Sequence, residues 1–355
     1  MTTTGEAMLL YVKDQTQALR TNSPGVINND AESVHDLRLA TRRLRSALAS
    51  ARKLFDRNEV SNLRDELKWL GGVLGEARDS QVIHERLVDA ISNEPPGADK
   101  DAIAERTEAW YKRKYSAAHS AAAKALGSQR FRDLLASLDS FAAAPPAPSD
   151  AVAADDKRAA KKLAKAAKPV KKGFAKLAAR EAARVRKTVK AVPTSNGPAG
   201  RSDPDNSSRD NSEPNNSAPD NSAPQNSARE NSAGTNSAGQ NSTRNARDDR
   251  DRGLHEVRKA AKRLRYVAEA AIPHVGKPAK RVERRAHNIQ KMLGVHQDAV
   301  VVGSLLKDVG MNSLRSGESA FIYGRLHARE EATARESDRE FRKFWKGLKK
   351  KHLKI

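Results

Sequence analysis

The sequence predicts an all-α protein built from two related halves, and three observations support this prediction. A twelve-residue string at 34–45 returns at 254–265, and a second string at 70–79 returns at 289–298. Aromatic residues make up only 4% of the 355 residues, while Ala and Leu are abundant, so we expect helices that pack directly against helices. Because the two strings recur at offsets of 220 and 219, they mark a duplicated unit larger than one helix.

The first string places basic residues along one side of a helix. At about 100° per residue, four of its side chains fall within about 80° of one another, with Leu and Ala on the opposite side. We call these the basic stripes, His35, Arg38, Arg42 and Arg45 in the first copy and His255, Arg258, Lys262 and Arg265 in the second. A solvated face is the ordinary interpretation of such charge. The near absence of acids from the stripes and their duplication favour an anion-binding site instead.

The candidate binding residues also include cations beside the stripes, namely Arg43 in the first copy and Lys259 and Arg263 in the second. In the second string, Leu-Gly followed by Asp predicts a helix stop, a tight turn and an N-cap. Asp79 and Asp298 are therefore expected to cap helices, and the alternative is that they orient an arginine.

The first half is expected to cover residues 1–149 and to end in the Pro-rich segment 144–149. Its helices are predicted over 5–21, 31–56, 59–74, 79–92, 99–126 and 128–143, with the first one broken at Ser23-Pro24-Gly25.

The second half is expected to cover residues 150–355. It begins with a basic helix over 150–191 that Pro169 kinks or divides. An insertion at about 195–252, in which Asn-Ser recurs every five residues, is predicted to be disordered. Helices are predicted to resume at Gly253 and to follow over 276–294, 297–309 and 317–350.

Charge and cysteine content limit the function. The 66 Lys and Arg against 44 Asp and Glu give a net charge of +22, which predicts an extended anionic partner. The absence of cysteine excludes disulfides, thiolate nucleophiles and zinc sites built on Cys. Because no secretory signal and no membrane-spanning run is visible, we expect a cytoplasmic protein without a membrane partner.

The duplicated His-x-x-Arg-x-x-x-Arg-Arg-x-Arg string, followed each time by the Leu-Gly and Asp string, resembles the CHAD domain, the conserved histidine α-helical domain. The resemblance covers nearly the whole chain outside the insertion. It implies two four-helix bundles with pseudo-two-fold symmetry around a basic central groove or pore. It also implies binding of inorganic polyphosphate and association with polyphosphate granules. The second copy departs from the first at Lys262, Gln297 and Tyr266, where the first has Arg42, Arg78 and Ser46.

Three function classes follow. The first is a non-catalytic polyphosphate-binding module, for granule targeting or regulation, in which the stripes neutralise phosphates and both histidines donate to phosphate oxygens. The second is a general nucleic-acid or polyanion binder, and some weaker nucleic-acid binding is expected in either case. The third, a polyphosphate-processing enzyme, is disfavoured because few acids lie near the stripes to hold a metal. We therefore assign no catalytic residue, metal or cofactor.

Overall fold

The computed structural model describes residues 2–143, 164–193, 234–317 and 319–355, and these ranges contain helices and no strand. The helices are α1 (Thr4–Ile27), α2 (Ala31–Ala51), α3 (Arg57–Ser92), α4 (Ala98–Leu126), α5 (Gln129–Ala143), α6 (Val170–Lys190), α7 (Gly234–Val275), α8 (Lys277–Arg315) and α9 (Phe321–Lys346), and a 3₁₀ turn covers Lys350–Leu353. The prediction of an all-α fold is confirmed.

The break predicted at Ser23-Pro24-Gly25 is wrong, because α1 continues through Pro24 to Ile27. Proline lacks the N–H that would reach the carbonyl of Arg20. The hydroxyl of Ser23 donates to that carbonyl over 3.1 Å, which satisfies the acceptor and lets the helix complete its last turn. The following helix, α2, ends at Ala51 rather than near residue 56, since Asp56 caps α3 by accepting from the backbone N–H groups of Asn58 and Glu59.

The stops predicted after the two Leu-Gly pairs are also wrong, because α3 and α8 run without interruption through them. An arginine of a motif helix lies against each Leu-Gly string instead of a turn. Arg38 Nη1 lies 3.4 Å from the carbonyl oxygen of Gly75, and a Cβ on Gly294 would lie 3.6 Å from Arg258 Nη2. Asp79 consequently stands inside a helix, where it contacts an arginine rather than a helix end.

The start of α7 differs from the prediction as well. This helix begins at Gly234, within the segment expected to be disordered, rather than at Gly253. Part of the added length is fixed by charge, since Arg250 donates through Nε and Nη2 to both carboxylate oxygens of Asp338 on α9. The rest of the predicted insertion, residues 195–233, and the Pro-rich boundary lie outside the described residues. Pro169 interrupts the predicted basic helix, since it is the N-cap of α6, whereas residues 150–163 of that prediction lie outside the described residues.

The hydrophobic core connects the two predicted halves. One continuous cluster of buried side chains extends from Ala7 on α1 to Phe341 on α9 and Leu353, and it includes the apolar sides of α2 and α7. A smaller cluster lies where the C-terminal part of α3 and the start of α4 meet α8 and the start of α9. It includes Leu87 and Tyr323.

Ion pairs also join the halves beside the smaller cluster. Arg86 Nη2 lies 2.6 Å from Glu330 Oε2, and Arg325 Nη2 lies 3.2 Å from Glu94 Oε2. Both carboxylates are buried, with side-chain exposures of 5% and 6%. Because a buried carboxylate that loses its partner is costly, these pairs fix how the long helices meet. The halves thus touch both at α2 with α7 and at the distal helix ends.

We expect Leu44→Ala and Leu264→Ala each to lower the free energy of unfolding by about 2–5 kcal/mol, because both side chains are fully buried. Since both belong to the same core cluster, each change should shift one common thermal transition. Calorimetry would measure this, and a separate transition for each half would contradict it.

Candidate functional site

The basic stripes of the two motif helices come together where α2 packs against α7. Lys262 and the four arginines whose charges lower its pKa lie close together, and we call these five residues, Arg38, Arg42, Arg45, Arg258 and Lys262, the central cation cluster. All five are half-buried, while the apolar residues between them, such as Leu44 and Leu264, are buried in the core. Hydrophobic packing of one side of each helix therefore forces like charges on the other side together.

Lys262 shows this constraint most clearly. Burial, together with the charges of Arg42, Arg258, Arg38 and Arg45, lowers its pKa from 10.5 to about 6. The Lys262 amine is therefore uncharged at neutral pH, whereas the surrounding arginines keep their charge. Burial lowers the pKa of Arg42 too, with Arg38 and Arg258 adding to the effect.

Carboxylates lie at the edges of the cluster, where Asp65 acts to raise the pKa of Arg45 and two further acids lie near Arg38 and Arg258. Asp79 Oδ1 accepts from Arg38 Nη2 over 2.8 Å, and the Asp79 side chain is 64% exposed. Asp298, the matching residue of the other half, has its pKa raised by burial, although Arg258 and Arg86 act in the opposite direction. In the described part of the chain, Arg38 is thus the one member of the cluster that is paired with a carboxylate.

Arg258 also has an unused hydrogen-bond donor. Its Nε is buried and has no hydrogen-bond partner among the described residues. A buried donor without an acceptor costs about 1–3 kcal/mol, so an acceptor oxygen that reached Arg258 Nε would recover that cost.

A family model for the CHAD domain matches residues 10–307. The chain belongs to the CHAD domain family. The family is associated with polyphosphate binding.

Relatives of this CHAD domain are found among curated proteins and solved structures. The chain is 28% identical over 319 residues to the uncharacterized proteins MT2285 and Rv2226 of Mycobacterium tuberculosis strains CDC 1551 and H37Rv, covering 90% of this chain and 48% of each relative. It therefore spans about half the length of these relatives.

Two solved structures share the fold. PptA from Streptomyces chartreusis superposes with a TM-score of 0.65 at 18% identity, over 97% of this chain and all of the other. The crystal structure of the CHAD domain from the plant Ricinus communis superposes with a TM-score of 0.59 at 21% identity, over 98% of this chain and 93% of the other.

The two motif histidines of this CHAD domain have different surroundings. His35 is exposed at the start of its stripe, whereas the half-buried His255 lies with Nδ1 2.7 Å from Gln297 Oε1. Gln297 is the residue that replaces Arg78 of the first half, so the substitution noted in the sequence supplies a hydrogen-bond partner to a motif histidine.

Four other predicted site residues lie outside the central cation cluster. Arg43 forms an ion pair with Glu269 at 2.7 Å, Lys259 with Glu256 at 2.6 Å, and Arg265 with Glu283 at 3.0 Å. These acids lie near the stripes in space or one helical turn away, and the sequence pattern alone did not reveal the contacts of Arg43 and Arg265. Arg263 faces a separate group of cations from α2, α3 and α6.

Two basic residues near the predicted site residues were absent from the prediction. Burial lowers the pKa of Arg45, and the charge of Arg64 on α3 lowers it further. Arg52, the C-cap of α2, acts on Arg263 and lies seven residues beyond Arg45. The heptad spacing of Arg52 was a usable signal, whereas Arg64 belongs to no repeated motif.

No group of three or more His, Cys, Asp or Glu residues in the described ranges is arranged to hold a metal ion. Over the same ranges, no helix combines the length and apolar character needed to cross a bilayer.

We expect Lys262→Met to raise the free energy of unfolding at pH 7 by about 1 kcal/mol or more, because it removes a buried amine from among arginines. Between about pH 6 and 10.5 the unfolded wild-type chain holds a proton that the folded chain has lost. Lys262 therefore makes stability rise with pH in this window, and the variant should lose that part of the slope.

Urea unfolding at several pH values measures both effects. Lys259→Met is the matched control, since Lys259 is exposed and paired with Glu256. An equal stability change in the two variants would show that Lys262 is not electrostatically strained.

Proposed function

We propose that this chain binds inorganic polyphosphate along the central cation cluster and acts as a binding module. The observation that supports the proposal most is the half-buried group of four arginines and Lys262, in which Arg38 is the one described member with a carboxylate partner. Such a group is an unfavourable arrangement in the free protein, and an anion of high charge density relieves it.

A linear polyanion fits the geometry of the cluster. From Arg38 to Arg45 the stripe rises seven residues, or about 10 Å along α2, and α7 contributes cations beside it. Each phosphate that contacts a cation releases counterions, and arginine adds forked hydrogen bonds to phosphate oxygens. In this proposal Arg258 Nε donates to a phosphate oxygen, and His35 and His255 contact the chain at the start of the stripes.

Nucleic acid is the second candidate ligand, and the net charge of +22 favours it. Recognition of single strands usually adds aromatic side chains on which bases stack. Tyr266, the aromatic residue adjacent to the second stripe, is fully buried and offers no such surface. We therefore place nucleic acid as the weaker partner, bound through its phosphates.

A catalytic role has less support than binding. Phosphoryl transfer usually needs carboxylates that hold a metal, and the two carboxylates near Arg38 and Arg258 are poorly suited. Asp79 contacts Arg38, and burial favours the neutral form of Asp298. We propose that binding serves to target the protein to polyphosphate granules in the cytoplasm or to regulate a protein that acts on the polymer.

We expect simultaneous replacement of Arg38, Arg42, Arg258 and Lys262 by Ala to weaken binding of long-chain polyphosphate by about 100-fold or more, because each lost charged contact contributes roughly 1.5–3 kcal/mol. The slope of log affinity against log salt should become less steep as well.

The matched control removes four exposed cations from α4, at Lys112, Arg113, Lys114 and Lys124. It makes the same change in formal net charge on a helix that packs against α1, α3 and α5. Polyphosphate affinity should be measured for both variants in competition with duplex DNA and single-stranded RNA at physiological salt. Equal losses in the two variants, or a wild-type preference for nucleic acid, would contradict the proposal.

We further expect polyphosphate binding at pH 8 to take up about one proton per protein, because phosphate next to Lys262 stabilises its charged form. Calorimetry in buffers of different ionisation enthalpy measures the uptake, which should be absent in Lys262→Met. Uptake that persists in this variant would place the protonating group elsewhere.

A further inference from the structure

A second group of cations surrounds a pocket of about 210 Å³ where α2, α3, α6 and α7 meet. We call it the arginine pocket, and its lining is Ala49, Arg52, Lys53, Arg64, Arg180, Arg184 and Arg263. Six of these seven residues are basic and none is acidic. Both predicted halves of the chain contribute, since Arg180, Arg184 and Arg263 belong to the second.

One buried carboxylate forms ion pairs with two of these arginines. Glu181, whose side chain is 2% exposed, accepts from Arg180 Nε at 3.2 Å and from Arg184 Nε at 3.1 Å. Arg180 also donates to the backbone carbonyl of Ser50. These contacts hold two guanidinium groups at the wall of the pocket.

The other four cations are left without such partners. No ion pair in the described part of the chain involves Arg52, Lys53, Arg64 or Arg263. Burial lowers the pKa of Arg263, with Arg184, Arg64 and Arg52 contributing and Glu181 acting in the opposite direction. The arginine pocket therefore holds a clear excess of positive charge.

The duplicated halves differ at this place. Arg43 and Arg263 occupy matching positions of the two strings, and so do Ala49 and Glu269, at the offset of 220. Glu269 neutralises Arg43 at 2.7 Å and accepts from the hydroxyl of Tyr11 at 3.2 Å. Arg263 has Ala49 nearby, which contributes neither charge nor bulk. Because Ala49 stands where the other half has Glu269, the pocket remains open and Arg263 has no ion-pair partner among the described residues.

Arg64 links the arginine pocket to the central cation cluster, because it acts on both Arg45 and Arg263. A volume of about 210 Å³ suits one or two phosphate groups rather than a length of polymer. A terminal phosphate, like a phosphomonoester, carries about −1.5 to −2 charges at pH 7. An internal phosphate of a linear chain has one ionisable oxygen, so the end is the more highly charged group.

We propose that the arginine pocket binds a terminal phosphate group, either that of pyrophosphate or that of a polyphosphate chain whose body lies along the central cation cluster. The second form rests on the proposed function, whereas the first does not. The pocket is then a chain-end site, and the central cluster contacts internal phosphates.

Restoring the missing carboxylate tests the pocket directly. Ala49→Glu reproduces at Arg263 the residue that neutralises Arg43 in the other half, and Ala49→Gln adds nearly the same bulk without charge. Titration calorimetry with pyrophosphate should show at least tenfold weaker binding to Ala49→Glu than to Ala49→Gln. Arg52→Gln, an exposed change, should also weaken binding and serves if the Ala49 variants unfold.

Binding of long-chain polyphosphate with free or chemically blocked ends then tests whether the pocket holds the end of a chain or only pyrophosphate. Wild-type protein should bind free-ended chains more tightly than blocked chains, and Ala49→Glu should reduce this preference. The variant lacking Arg38, Arg42, Arg258 and Lys262 should lose long-chain binding but keep pyrophosphate binding, which would separate a failure of the central site from a failure of the pocket. Equal pyrophosphate affinity in Ala49→Glu and Ala49→Gln would overturn the pocket, and no preference for free ends would overturn the chain-end form.

Discussion

Electrostatic repulsion between two packed helices is the constraint on which this structure depends. The apolar sides of α2 and α7 are buried in one continuous core, and this burial brings the basic sides of the same helices together. Each buried aliphatic side chain contributes about 1.5–3 kcal/mol, which offsets the cost of crowding the cations. The cost is visible at Lys262, whose pKa burial and the neighbouring arginines lower to about 6.

Several local features follow from this crowding. The backbone of α3 at Gly75 accepts a hydrogen bond from Arg38, and Arg258 packs against α8 at Gly294, where an added Cβ would lie 3.6 Å from its Nη2. Several cations beside the stripes are each paired with an acid, as Arg43 is with Glu269. In the central cluster and the arginine pocket, carboxylates are fewer than cations, since Asp79 contacts Arg38 and Glu181 contacts Arg180 and Arg184.

The amino-acid sequence was sufficient to predict the helical class, the two motif helices and the CHAD family. The helical spacing of apolar residues, the clustered basic residues and the repeated strings can all be read without knowing which helices are neighbours. It was insufficient at Gly75 and Gly294, where a pattern typical of a turn serves close packing between helices that are distant in sequence. It also missed Arg64 and the contact between Arg43 and Glu269, because both depend on which helices become neighbours. The stripe cations Arg38, Arg42, Arg45, Arg258 and Lys262 were predicted because helical spacing alone places them on one side.

The ion pairs at the distal ends of α3 and α9 have a consequence for chain connectivity. Arg86 with Glu330 and Arg325 with Glu94 join residues far apart in sequence, and the motif helices join the same halves at a second place. Two separate attachments of this kind hold the halves together without the peptide link between them. Fragments divided between α5 and α6 therefore have the contacts needed to reassemble from separate polypeptides, and the covalent link mainly raises their effective concentration.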